Sequence, residues 1–234
     1  MKKALGILGG MGPQATIDLQ QKILNLTEAL SDQEHLRVYV DNHPQIPDRI
    51  GAVLDNAPSP VPAMQESLDK LVAMGAACIA MPCVSAHYFL PQLVVPERVV
   101  FLDMLQIMAL ACAKRYAGLK AGILCSEATA RCRLPSSYLE LCSVSHFYPR
   151  AQEQQILGRL ILDVKAKTDL TALAVNLRPI AAEMAGRGAD YFVLACTELP
   201  IIVKFEPLPY LCLDATTELA RAAVLCCADK PVES

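Results

Sequence analysis

The sequence contains no tryptophan, and aromatic residues make up only 5% of its 234 positions. Such a chain has few flat faces on which bases could stack, which argues against a single-stranded nucleic-acid surface. Net charge is also scarce: 21 Lys and Arg against 24 Asp and Glu leave a formal −3. That balance gives no electrostatic reason to expect nucleic acid or an anionic membrane as partner. There are four histidines without ligand spacing and no Cys-x-x-Cys pair, so no metal site is expected. No uncharged run reaches the roughly 18 residues of a membrane span; the apolar stretch 99–113 is interrupted by Asp103 and Gln106. The opening Met-Lys-Lys-Ala-Leu resembles a short signal peptide, but Gly6, Gly9, Gly10 and Pro13 break its apolar run. It reads better as a first strand and a glycine turn.

What is present is apolar content, 53% of the chain, ample for a buried core. The ten cysteines lie mostly in strand-like or helical stretches of a chain too large to need staples. Reduced thiols in a cytoplasmic protein are therefore expected. Apolar, β-rich runs at 3–8, 36–41, 77–81, 98–102, 119–124, 144–148, 190–194 and 210–213 alternate with helical patterns. The helical stretches are 14–30, 62–74, 103–116, 152–165, 170–187 and 214–228. This alternation predicts an α/β fold with mostly parallel sheets flanked by helices.

A faint internal repeat organises these elements. Gly6-Ile7-Leu8 recurs as Gly122-Ile123-Leu124, 116 residues on. Met74-Gly75-Ala76 leading to Cys83 recurs as Arg187-Gly188-Ala189 leading to Cys196, and Leu102-Asp103 recurs as Leu213-Asp214. Three correspondences in one order predict two similar α/β lobes, residues 1–116 and 117–213, with a site in the cleft between them. The remaining 214–234 reads as a C-terminal helix that packs on its own lobe or crosses to the first.

Cys83 and Cys196 each follow an apolar strand and precede a turn. Both are thus expected at the carboxyl end of a parallel strand, where open α/β sheets bind ligands. A following helix would lower a thiol pKa through its N-terminal dipole. One thiol on each side of a cleft suits inversion of a stereocentre, because one group removes a proton while the other delivers one. For Cys78, Cys112, Cys125, Cys132, Cys142, Cys212, Cys226 and Cys227 the plain role of small buried hydrophobe is expected.

Four segments carry a resemblance: Gly6-Ile-Leu-Gly-Gly-Met-Gly-Pro-Gln-Ala-Thr16, Pro44-Gln-Ile-Pro-Asp-Arg49, Met81-Pro-Cys-Val-Ser-Ala-His87 and Ala195-Cys-Thr-Glu-Leu-Pro200. In this order they resemble the PLP-independent aspartate/glutamate racemases, most closely the aspartate branch. The resemblance implies no cofactor, an acidic amino-acid substrate, a homodimer, and Cys83 and Cys196 as catalytic acid/bases. It also points to Arg49 and Lys165 as a clamp on the distal carboxylate. Those two are 116 residues apart, the same shift as the repeat. Ser85, Thr129 and Thr197 are hydroxyl candidates for the α-carboxylate and ammonium. Met11 and Gly12 lie in a glycine loop that brings backbone N–H groups close to a carboxylate. His87 and Glu198 are candidates for tuning the thiols, a structural role being an equal alternative.

The chain departs from the family pattern at Val84 and Ser85, where Asn and Thr are usual. It departs again at Ser126-Glu127-Ala128-Thr129 and at Ala195. Val84 takes the place of an amide that would meet a substrate carboxylate. Glutamate or another acidic amino acid is therefore the alternative substrate, and a non-catalytic amino-acid-binding protein the alternative class. A dinucleotide reading of Gly10-x-Gly12-x-x-Ala15 is weakened by Pro13 and by Asp41 lying 29 residues beyond Gly12, against a usual spacing of about 20.

Overall fold

A computed structural model describes residues 2–166 and 169–228; positions 229–234 of the expected C-terminal segment lie outside them. The first lobe runs β1 (Leu5–Gly9), α1 (Pro13–Leu26), β2 (Val38–Asn42), α2 (Arg49–Leu54), α3 (Val61–Ala73), β3 (Cys78–Ala80), β4 (Val100–Leu102) and α4 (Met104–Arg115). The second runs β5 (Ala121–Cys125), α5 (Glu127–Arg131), α6 (Ser136–Leu141), β6 (His146–Phe147), α7 (Ala151–Lys165), α8 (Leu170–Val175), α9 (Leu177–Gly186), β7 (Tyr191–Ala195), α10 (Leu199–Val203) and β8 (Leu211–Asp214). The closing helix is α11 (Ala215–Cys227).

The strand orders are β2-β1-β3-β4 and β6-β5-β7-β8, every pair parallel. The two sheets are copies of one topology, and β1, β5 and β7 are buried along their whole length. Continuous apolar runs are what a parallel strand covered on both faces requires. One core is shared by both sheets. It joins Leu5 and Ile7 of β1 to Tyr191 and Val193 of β7 through Met108 of α4 and Leu219 of α11. Separate outer cores lie under α3 in the first lobe and under α7 and α9 in the second. Helix α11 packs against α1 and α4 of the first lobe, and the Lys3 N–H donates to the Cys227 carbonyl at 3.2 Å.

Several expectations are adjusted. The stretch 170–187 is two helices, broken at Asn176. Pro179 has no N–H to give the Val175 carbonyl, so the first helix cannot continue. Short helices α2, α5, α6 and α10 carry too few turns to show a period in sequence. The expectation of ten reduced thiols is corrected: Cys78 and Cys226 form a disulfide. These residues are 148 apart in sequence and meet only because α11 packs against β3. The other eight cysteines are free. Among the described residues no helix is long and apolar enough to cross a membrane.

Candidate active site

The carboxyl ends of the two sheets enclose a small cavity. Met11, Cys83, Val84 and Ser85 reach it from the first lobe, and Thr129, Lys165, Cys196 and Thr197 from the second. Eight of the ten residues expected from sequence thus line one space. Ile50, Ser126, Ala195 and Glu198 complete the wall.

Each side chain is held by a local device. Cys83 lies just beyond β3, at the start of a 3-10 helix spanning Ser85–Gln92. His87 in that helix is buried. The Met104 N–H donates to its Nε2 at 3.1 Å, so Nδ1 carries the proton and donates to the Cys83 carbonyl at 2.9 Å. His87 thus ties the backbone of Cys83 to the start of α4 and does not touch the thiol. Burial lowers its pKa, against the opposing pull of the Cys83 carbonyl and Asp103. The glycine loop is pinned by buried Thr16 of α1: its hydroxyl accepts from Gly10 N–H at 2.9 Å and donates to the Gly12 carbonyl at 3.1 Å. Gly10 has φ +89°, and a Cβ there would meet the His43 backbone at 2.3 Å. Only glycine fits that crossing.

In the second lobe Cys196 directly follows β7. Its Sγ donates to Glu198 Oε2 at 2.9 Å, and the Thr197 hydroxyl donates to the same oxygen at 3.3 Å. Lys165, the last residue of α7, brings Nζ to 3.8 Å from Glu198 Oε1. Burial alone would pull Lys165 down, but Glu198 and the two thiols outweigh it, and its pKa lies above the ordinary value. Ser126 caps α5 and shares a 2.9 Å hydrogen bond with the Thr129 hydroxyl.

Gly12 and Arg49 do not line the cavity. Gly12 faces Glu198, whose Oε1 would be 3.9 Å from an added Cβ. Arg49 opens α2, buried, with Nη1 donating to the Ile46 and Pro47 carbonyls at 3.1 and 2.9 Å. Its buried Nε has no hydrogen-bond partner among the described residues. Its neighbour Ile50 forms the wall instead. Ile50 was not singled out from the sequence, because an apolar residue in a helix as short as α2 has no chemistry to mark it. Glu198 was visible beside Cys196, but its contact with the thiol is a matter of side-chain direction.

The cavity has room for roughly one water molecule. An outer pocket of about 510 Å³ shares Ile50, Ser126 and Lys165 with it. Ile50, Ser126 and Lys165 therefore stand between the inner cavity and the outer pocket.

A twofold-repeated α/β scaffold with a thiol from each half in one cleft defines a class. Residues 8–227 match the Asp/Glu/hydantoin racemase family, and the chain belongs to it, an isomerase of the racemase type. Among solved structures, it is similar to the aspartate racemase of Picrophilus torridus. The two are 31% identical with a TM-score of 0.85, over 95% of this chain and 93% of that one. An aspartate racemase homologue from Pyrococcus horikoshii shares the fold, at 21% identity, TM-score 0.74, and coverage of 96% and 98%. The broad-specificity amino-acid racemase RacX of Bacillus subtilis (strain 168) is 23% identical over 232 residues, covering 94% of this chain and 96% of its own.

Proposed function

We propose that the protein interconverts L- and D-aspartate without a cofactor, by a two-base mechanism with Cys83 and Cys196. The observation that carries this reading is that the two thiols stand at equivalent strand ends of two copies of one lobe and line the same cavity. A substrate Cα between them presents one face to each. One sulfur removes the α-proton as thiolate, and the other delivers its S–H proton to the opposite face. The developing negative charge spreads onto the α-carboxylate, where fixed donors stabilise it most when water is excluded. In this reading the hydroxyls of Ser85, Thr129 and Thr197 and the loop at Met11 take that role, all of them lining the cavity. Lys165 supplies a point charge for the distal carboxylate. Arg49, next to the wall residue Ile50, is the second cation assigned to it. Homodimer formation belongs to the same reading, and analytical ultracentrifugation tests it.

Aspartate is favoured by the likeness to the Picrophilus torridus enzyme and by Lys165 and Arg49. The test is incubation with L-aspartate in D2O under reducing conditions, with nothing else added. Deuterated D-aspartate is expected; an absence of both exchange and inversion overturns the reading. A second reading, a racemase of other amino acids, is favoured by the apolar wall of Met11, Ile50 and Val84 and by the likeness to a broad-specificity enzyme. A substrate panel separates the two, and binding without exchange would point to a non-catalytic protein.

A further inference from the structure

The two thiols meet different neighbours. Cys196 donates to a carboxylate, while the Cys83 sulfur has the Ser85 hydroxyl at 3.5 Å. Glu198 is only 4% exposed, so its charge acts on Cys196 through a poorly screening surround. The charged groups bearing on Cys196 are Glu198 and Lys165. Lys165 in turn faces Cys83 and Arg49. The ammonium is 3.8 Å from the carboxylate oxygen that does not touch the thiol. Ionising Cys196 where it stands would set a thiolate within hydrogen-bond distance of a carboxylate, two like charges in contact.

We propose that Glu198 is the proton partner of Cys196 and holds it as the resting thiol, leaving Cys83 as the base that opens turnover. The consequence for racemisation rests on the function proposed above. Cys83 thiolate takes the α-proton from one face: the C–H bond breaks and an S–H bond forms. The Cys196 S–H bond then breaks as its proton passes to the opposite face of the carbanion. This leaves a thiolate beside Glu198. To reset the site, Glu198 takes a proton from solvent past Lys165, which is 30% exposed and borders the outer pocket. Glu198 passes that proton to Cys196, Cys83 releases one to solvent, and the starting charge is restored. The opposite enantiomer uses the form with the proton on Cys83. Burial pushes the Cys196 thiol upward and the Glu198 charge adds to this, with Lys165 pulling the other way.

The test is timed alkylation of the whole protein with iodoacetamide at pH 7.5, each cysteine read by peptide mass spectrometry. Cys83 and Cys196 are 5% and 8% exposed, so access alone would favour Cys196. In the unaltered protein Cys83 is expected to react at least about tenfold faster, because the thiolate is the nucleophile. In Glu198→Gln, Cys196 labelling is expected to rise about tenfold while Cys83 changes less than about twofold. The proposal is overturned if Cys196 reacts first, or if Glu198→Gln leaves its rate unchanged. If circular dichroism shows that variant unfolded, Lys165→Met serves, since removing the ammonium is expected to slow Cys196 further. An unchanged or faster Cys196 in that variant overturns the proposal. Labelling needs no substrate, so it fails independently of the D2O experiment.

Discussion

Asp103 and Asp214 are the same residue in two copies of one lobe, and each binds a donor from the opposite lobe. Asp103 caps α4 and accepts from the Tyr138 hydroxyl of α6 at 2.9 Å. Asp214 caps α11 and pairs with Lys22 of α1 at 2.6 Å. Lys22 also pairs with buried Asp18, which receives Lys204 of the second lobe. The two lobes are therefore joined by two reciprocal polar ties. Burial and then Asp103 push the Tyr138 phenol up to about 12, so it remains a donor throughout the neutral range. Tyr138→Phe is expected to cost about 1 kcal/mol, the usual worth of a part-buried hydrogen bond. Urea unfolding measures it; an unchanged midpoint would show the tie to be idle.

Replacing either thiol should stop inversion. Cys83→Ser and Cys196→Ser are each expected to lower the rate of D-aspartate formation by roughly 10²–10⁴, the range of one general acid or base. Chiral chromatography of timed samples reads this directly. Full activity in both variants would remove the two-base mechanism.

The cations should govern substrate preference. Lys165→Met is expected to weaken discrimination of aspartate from its neutral isostere asparagine by about tenfold or more, through loss of one charge-assisted contact. Arg49→Lys is expected to raise KM, because an ammonium cannot offer the bidentate fork. Comparing kcat/KM for the two substrates checks both; an unaltered ratio in Lys165→Met would place the distal carboxylate elsewhere.

The tie between His87 and Cys83 makes a pH prediction. His87 is held neutral, with its pKa below the ordinary 6.5, so the unfolded chain binds a proton that the folded one resists. Its contribution to stability is present above about pH 6.5 and is lost as the pH falls toward the folded-state value. His87→Gln should flatten thermal stability between pH 7 and pH 5. A profile as steep as that of the unaltered protein would assign the acid sensitivity to other groups.

Gly10 offers a backbone test. Gly10→Ala is expected to destabilise by about 1–3 kcal/mol, the usual cost of forcing a side chain into left-handed backbone. The clash with His43 adds to this and shifts the Met11 loop, so turnover should fall further than stability. Calorimetry together with the exchange assay separates the two effects.

Much of this molecule was legible because its chemistry is written as local pattern. The buried runs of β1, β5 and β7 announced parallel strands, and the spaced recurrence of Gly6, Cys83 and Asp103 announced a second copy. Cys83 and Cys196 could be placed at one site from their equivalent strand ends in a repeated α/β lobe, whereas Lys165 and Thr197 were placed there by the family resemblance, Lys165 also by its shift from Arg49. Direction and distance were not written there. Tertiary packing turned Glu198 onto Cys196, put Ile50 on the wall in front of Arg49, and aimed His87 at a carbonyl instead of a thiol. It also brought Cys78 against Cys226, two positions whose nearness depends wholly on where the last helix docks. Sequence determined which groups the site would own, since residue type and spacing suffice for that. Only the folded chain decided which of them touch, because a contact depends on rotamers and on the packing of elements distant in sequence.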